Sequence, residues 1–354
     1  MMTEAGIWSP IPRSIAIFRA LNLGDLLCTI PALRALRLSL PGTRITLIGL
    51  ASAIPVVERF NSYVNELLLF PGDPAFPEQA ARMDELPEFY RRVHDSDFDL
   101  ILQMHGSGAQ SNQIVQRMGA RRWAGFVPEA SQQEPGRLMT WPHHLPEVHR
   151  YLALLSYLGL PASDDALEFP LSDDDHREAD AAATHAGVDL DRTIFIHPGA
   201  RMPSRRWPLD RFADVMQRLA GEGWQLAVTG SPDETELAAS LIHRARVPAA
   251  NFSGKTSLGG LVGLLQRGRM VICNDTGISH LAAAVRLPSV VIASGSDVAR
   301  WAPLDAGLHR VLHAPTPCRP CSYFQCPIGH PCALGVSVDQ VMEEAQSQLG
   351  AIHE

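Results

Sequence analysis

Short apolar runs rich in Ile, Leu and Val alternate along this chain with longer amphipathic stretches, and the alternation runs through twice. A strand that leads into a helix returns most simply as a parallel neighbour, so the pattern specifies parallel sheets with helices on their faces. In the first half it predicts strands over 14–18, 44–49 and 99–103, with helices over 25–40 and 145–158. The stretch 161–191 is rich in Ala, Asp and Pro and carries Asp173, Asp174 and Asp175 in a row; it reads as a linker followed by a solvated helix. The alternation then restarts, with strands over 193–197, 225–229, 270–274 and 289–293 and helices over 209–222, 233–243, 258–267, 277–285 and 336–349. At 354 residues the chain is long enough for two such domains of roughly 150 residues each. The expected fold is α/β: two doubly wound domains facing across a cleft, 1–170 and 171–335, and a terminal helix over 336–354.

Several function classes fall away. Acidic residues outnumber basic ones 38 to 30, a net charge of -8, which argues against a nucleic-acid binder held by phosphate contacts. No apolar run approaches the roughly 18 residues of a spanning helix. The first residues carry an acid and then Pro10 and Pro12 where a signal peptide needs an apolar helix, so a cytoplasmic protein is expected.

Ligands of open parallel sheets bind beyond the carboxyl ends of the strands, so chemistry is sought in the turns there. In Arg19-Ala-Leu-Asn22-Leu-Gly24-Asp25-Leu26, Gly24 permits a tight turn and Asp25 sits at a helix entry, either as an N-cap or as a base for a hydroxyl. The turn lacks G-x-G-x-x-G and is no dinucleotide fingerprint. The loop His197-Pro-Gly199-Ala-Arg201-Met-Pro-Ser-Arg205-Arg206-Trp-Pro208 offers three guanidinium forks suited to phosphate, or an ordinary solvated loop. In Gly230-Ser-Pro-Asp233-Glu234 an acid at the end of the domain's second strand suits ribose hydroxyls, or complements a helix dipole. In Asn274-Asp275-Thr276-Gly277-Ile-Ser-His280 the amides at a helix start form an anion site that suits a pyrophosphate. His280 adds a donor contact there or is a half-buried structural histidine. Asp275 would repel phosphate, so it orients backbone or an acceptor hydroxyl, or caps the helix.

Taken in order and spacing, segments 20–37, 196–212, 229–238, 253–261 and 273–292 give the chain its likeness: it resembles the family 9 glycosyltransferases, best known as ADP-heptose:lipopolysaccharide heptosyltransferases. The resemblance implies a GT-B fold of two Rossmann-like domains, acceptor-binding then nucleotide-sugar-binding. It also implies inverting transfer of a heptose-like sugar from a nucleoside-diphosphate donor, ADP-heptose, to a lipopolysaccharide core or related surface glycan, with no catalytic metal. Asp25 takes the place of the general base. Gly199, Arg205, Arg206, Glu234, Asp275, Thr276, Gly277 and His280 fall to the donor, and Asn22, Gly24 and His105 to the acceptor. The partners implied are a nucleotide sugar and a saccharide or lipid-linked saccharide, with weak peripheral contact at the inner membrane and no nucleic acid. Two departures stand out. Arg205 replaces the lysine of the family's K-x-W-P motif, in a chain whose only lysine is Lys255, and the segment 103–108 differs from the lipopolysaccharide members. The competing readings are the same scaffold with another donor or acceptor, and a catalytically silent nucleotide-binding protein.

Cys28 and Cys273 lie in apolar contexts and read as small core residues. Cys318-x2-Cys321-x4-Cys326-x5-Cys332 is clustered within a Pro-rich loop over 315–333. In a reducing compartment that favours a structural zinc over disulfides, with an iron–sulfur centre and free thiols as alternatives.

Overall fold

The computed structural model describes residues 6–76 and 78–351. The chain divides into two compact units, 1–166 and 167–354.

The first unit is built on six parallel strands, β1 (Ser14–Phe18), β2 (Arg44–Gly49), β3 (Glu66–Leu69), β4 (Leu100–Gln103), β5 (Trp123–Val127) and β6 (Leu138–Thr140), in the order β3-β2-β1-β4-β5-β6. The central strands are apolar along their whole length because helices cover both faces of a parallel sheet. Phe18, Ile48 and Ile101 bury one face together with Phe70 and Phe89. The single helix expected over 25–40 is two: Leu23–Leu27 and Ile30–Ser39. Pro31 has no N–H to donate back and its ring crowds the preceding turn, so the chain restarts its helix there.

The second unit repeats the plan with β7 (Thr193–His197), β8 (Gln225–Val228), β9 (Ala250–Asn251), β10 (Met270–Asn274), β11 (Ser289–Ile292) and β12 (His309–Leu312), in the order β12-β11-β10-β7-β8-β9. The helix expected to be solvated, Asp173–Ala186, buries Asp175, Ala179 and Ala183. It lies close to the helix Leu258–Arg267, where a Cβ on Gly263 would come within 3.0 Å of Ala179. The terminal helix Val338–Ala351 contributes Val341, Met342, Ala345 and Leu349 to the core of this unit.

Within each unit the winding reverses beside the first strand, between β1 and β4 and again between β7 and β10. At such a switch point neighbouring connections leave in opposite directions and open a crevice at the strand ends. The turns carrying Asp25 and His105 flank the first of these points, and those carrying Gly199 and Asp275 flank the second.

Candidate functional site

In the first unit the turn after β1 is held by a buried network. Arg19 is fully buried. Its Nε donates to the Asp25 carbonyl at 3.0 Å, joined there by Nη2, and Nη1 donates to the Met104 carbonyl at 2.7 Å and to the Tyr151 hydroxyl. Tyr151 donates in turn to Glu147, whose carboxylate stands 3.4 Å from Arg19 and 3.3 Å from Arg150. A buried charge is stable only when paired and hydrogen-bonded in this way. Burial opposes the charge of Arg19, but Tyr151, Glu147 and the Asp25 carboxylate outweigh it and raise its pKa.

Asp25 is half-buried in the first turn of Leu23–Leu27, and Asn22 is the N-cap residue, so the capping reading of Asp25 is corrected. Gly24 lies inside the helix and not in the tight turn expected of it. His105, expected among the acceptor contacts, is 6% exposed, stacks on Phe18, and accepts the Ala20 N–H on Nδ1 at 3.2 Å. That bond requires the proton on Nε2. Burial, then the charge of Arg19, hold its pKa down to about 3. His105 therefore ties the end of β4 to the turn after β1.

In the second unit Glu234 turns inward while Asp233 stays exposed. Its carboxylate accepts the Ser231 N–H at 2.9 Å and lies 3.9 Å from His197 Nε2. It also lies across Gly199, where a Cβ would meet Oε1 at 2.1 Å; only glycine admits it. His197, whose Nδ1 is 3.1 Å from the Thr229 hydroxyl, is held neutral by burial against the pull of Glu234. Asn274 staples the arginine loop to β10: its Oδ1 accepts the Trp207 N–H and its Nδ2 donates to the Pro198 carbonyl, both at 2.8 Å. Arg206 donates to the Ala200 carbonyl at 2.8 Å. Thr276, not Asp275, is the N-cap of the helix Gly277–Ala284, which corrects the capping reading of Asp275. Burial raises the pKa of Asp275 against the opposing influence of Ser296, His280, Arg205 and Arg319.

These partners of Asp275 mark an unusual neighbourhood. Arg205 Nε and Arg319 Nε, and the neighbouring Thr276 Oγ1 and Ser294 Oγ, are all buried without a hydrogen-bond partner. Each such orphan costs about 1–3 kcal/mol, so a cluster of them marks a place completed by water or by a ligand. With the helix N-terminus and two guanidinium groups beside it, the chemistry fits an anion.

The family model described as glycosyltransferase family 9 (heptosyltransferase) matches residues 87–331. The chain belongs to that family. Lipopolysaccharide heptosyltransferase 1 of Pseudomonas aeruginosa is 24% identical over 351 residues, covering 88% of this chain and 87% of that one. Among solved structures, a family 9 glycosyltransferase from Veillonella parvula superposes with a TM-score of 0.78 at 20% identity, over 95% of this chain and 97% of that one. The ADP-heptose heptosyltransferase II of Escherichia coli gives 0.71 at 20% identity, over 96% and 100%. These structures show the fold, which is GT-B, with two Rossmann-like units.

A structural zinc is the expectation for the four clustered cysteines of this family 9 glycosyltransferase. Among the described residues no group of three or more His, Cys, Asp or Glu converges on a metal site. Cys318, Cys321, Cys326 and Cys332 form no disulfide, and after burial the nearby Cys318 and Cys326 thiols help to raise the pKa of Cys332. Cys318 meets the Thr316 hydroxyl at 3.7 Å, Cys326 Sγ accepts the His330 N–H at 3.2 Å, and Cys321 abuts Gly295. Cys28 and Cys273 are buried in the core as expected. Sequence reasoning missed Arg19, Glu147 and Tyr151, whose meeting spans 128 and 132 positions, and Ser294, Ser296 and Arg319. A charged residue directly after a strand of apolar residues is the one available signal for Arg19.

Proposed function

We propose that this glycosyltransferase moves a heptose-like sugar from ADP-heptose to a lipopolysaccharide core or related surface glycan, with inversion. The names of its relatives support the donor and acceptor class. In this reading Asp25 removes the proton of the acceptor hydroxyl as it attacks the anomeric carbon, and the bond to the diphosphate breaks in the same displacement. Asn22 and Gly24 line the acceptor side; His105 acts behind them, by holding Ala20.

Glu234, seated over Gly199, receives the ribose hydroxyls. Thr276, the Gly277 amide, Arg205 and Arg206 receive the diphosphate, where preorganised donors act as leaving-group charge develops. His280 and Asp275 complete that wall. Arginine in place of the family's lysine keeps the charge and adds a planar fork. We place the reaction in the cytoplasm, with peripheral contact where a lipid-linked acceptor is presented; among the described residues no helix is long and apolar enough to cross a membrane.

The cluster of unpartnered buried polar atoms around Asp275 is the observation that carries this reading. The test is calorimetric titration with ADP, UDP and GDP, followed by transfer assays with ADP-heptose and a heptose-free core acceptor. Preferential ADP binding with sugar transfer is expected. Tighter binding of another base would reassign the donor, and nucleotide binding without transfer to any acceptor would make the chain a silent binding protein.

A further inference from the structure

The Cys-rich segment is the one sequence motif that this reading leaves without a task. It is docked on the donor half of the molecule by hydrogen bonds to the arginine loop: Ser204 N donates to the Phe324 carbonyl at 3.1 Å, Ser204 Oγ to the Tyr323 carbonyl at 2.5 Å, and His330 Nε2 lies 2.6 Å from the Ser204 carbonyl. It is docked equally on the segment 293–296 that leaves β11. Cys321 N donates to the Gly295 carbonyl at 2.7 Å, and a Cβ on Gly295 would stand 2.8 Å from that of Cys321. Arg319 grips the same segment: Nη1 donates to the Ser296 carbonyl at 2.6 Å, and Nη2 to the Ser294 carbonyl at 2.7 Å and to that of Ala293.

Held by these bonds, Ser294 and Ser296 are each 1% exposed; the Ser294 hydroxyl has no hydrogen-bond partner, and the Ser296 hydroxyl has the Asp275 carboxyl beside it. The Ser296 hydroxyl favours the charged form of the Asp275 carboxyl, against the burial that raises its pKa. The strand pairing places both serines beside the Asp275–Gly277 turn, since Asp275 N donates to the Ile292 carbonyl at the end of β11.

We propose that Ser294 and Ser296 bind the diphosphate of the nucleotide donor, and that Arg319 is a positioning residue that holds them for it through the main chain of 293–296. The inference rests on the second unit being the donor site. A hydroxyl donating to an anionic oxygen in a water-poor site makes a short, charge-assisted bond, stronger than one between neutral groups. Arg319 spends its Nη groups on carbonyls, yet leaves its charge and a buried Nε beside the same place. The Cys-rich loop thereby acts as a brace for the donor site.

The experiment compares Ser294→Ala, Ser296→Ala and the double variant with the unsubstituted protein, by thermal unfolding without ligand and by calorimetric titration with the nucleoside diphosphate that binds tightest. Ser294→Ala removes an unpartnered buried hydroxyl at little cost to the free protein, so its unfolding temperature is expected to hold or rise, whereas Ser296→Ala also removes a favourable neighbour of Asp275 and is expected to lower it slightly. Affinity is expected to fall about tenfold per serine. Arg205→Ala and Thr276→Val serve as controls. Unchanged affinity in the double serine variant, with affinity lost in the controls, overturns the inference and leaves the donor site standing. Unchanged affinity in all of them overturns both. For Arg319→Gln the expected result is a donor KM raised at least about fivefold with the acceptor KM unchanged, partly restored in Arg319→Lys. A lowered unfolding temperature with both KM values unchanged assigns Arg319 to the fold alone.

Discussion

The two units share one strand order and differ in what they do with the polar groups at the switch point. In the first, Arg19 spends its donors on two carbonyls and a hydroxyl, and Tyr151 and Glu147 close the loop behind it. In the second, Arg205, Thr276, Ser294 and Arg319 each keep a buried polar atom without a partner. A network closed on itself fixes the backbone that carries a reacting group. An open one stores unfavourable desolvation that an incoming ligand relieves, and so contributes affinity. Under the proposed function the first unit thereby orients the Asp25 carboxylate and the second receives the diphosphate.

The contrast breaks most sharply at Asp25. Asp25→Asn is expected to lower kcat by about 10²–10⁴ while leaving nucleotide affinity unchanged, measured by initial rates and titration. A variant that transfers sugar at the normal rate removes Asp25 as the base. Next in size, Glu147→Ala strands Arg19 in the core and is expected to cost about 3–5 kcal/mol in denaturant unfolding. A loss below about 1 kcal/mol would mean that the network is not closed.

Arg205→Ala sharpens the comparison from the other side. Nucleoside-diphosphate affinity should fall about 10- to 100-fold, with a smaller loss of stability, because Nε has no partner in the free protein while the guanidinium charge still favours the buried Asp275 carboxylate.

The smallest expected effect is a pH dependence of stability. Folded His105 stays neutral down to about pH 3, whereas in the unfolded chain it protonates near its ordinary 6.5. Between those values the unfolded state binds more protons, so this contribution is intact above pH 6.5 and is lost as pH falls toward 3. His309, held at about 4 by burial, adds in the same direction. From pH 7 to pH 5 each is worth about 2 kcal/mol or less, read from urea midpoints. His105→Gln should flatten that slope; an unchanged slope would mean that His105 is charged in the fold.

Much of the scaffold behind this contrast is legible in the order of residues. The bounds of β1, β2, β7 and β10 follow from continuous apolar runs, since central parallel strands are buried on both faces. The edge strands β3, β6, β9 and β12 give no comparable signal, being two to four residues long and only partly buried. The family, and the turns that matter, are legible because glycine, proline and acidic residues punctuate strand ends in a fixed order.

What the amino-acid order determined by itself is the succession of strands and helices and the turns where chemistry gathers, because periodicity and turn propensity act over a few residues. Tertiary structure alone decided that His105 ties the end of β4 to the turn after β1, that Asn22 and Thr276 rather than Asp25 and Asp275 stand at the N-cap positions, and that Arg19 meets Glu147 across 128 positions. Such outcomes depend on distances between groups far apart in sequence and on which of them lose water together. Neither is encoded in local spacing.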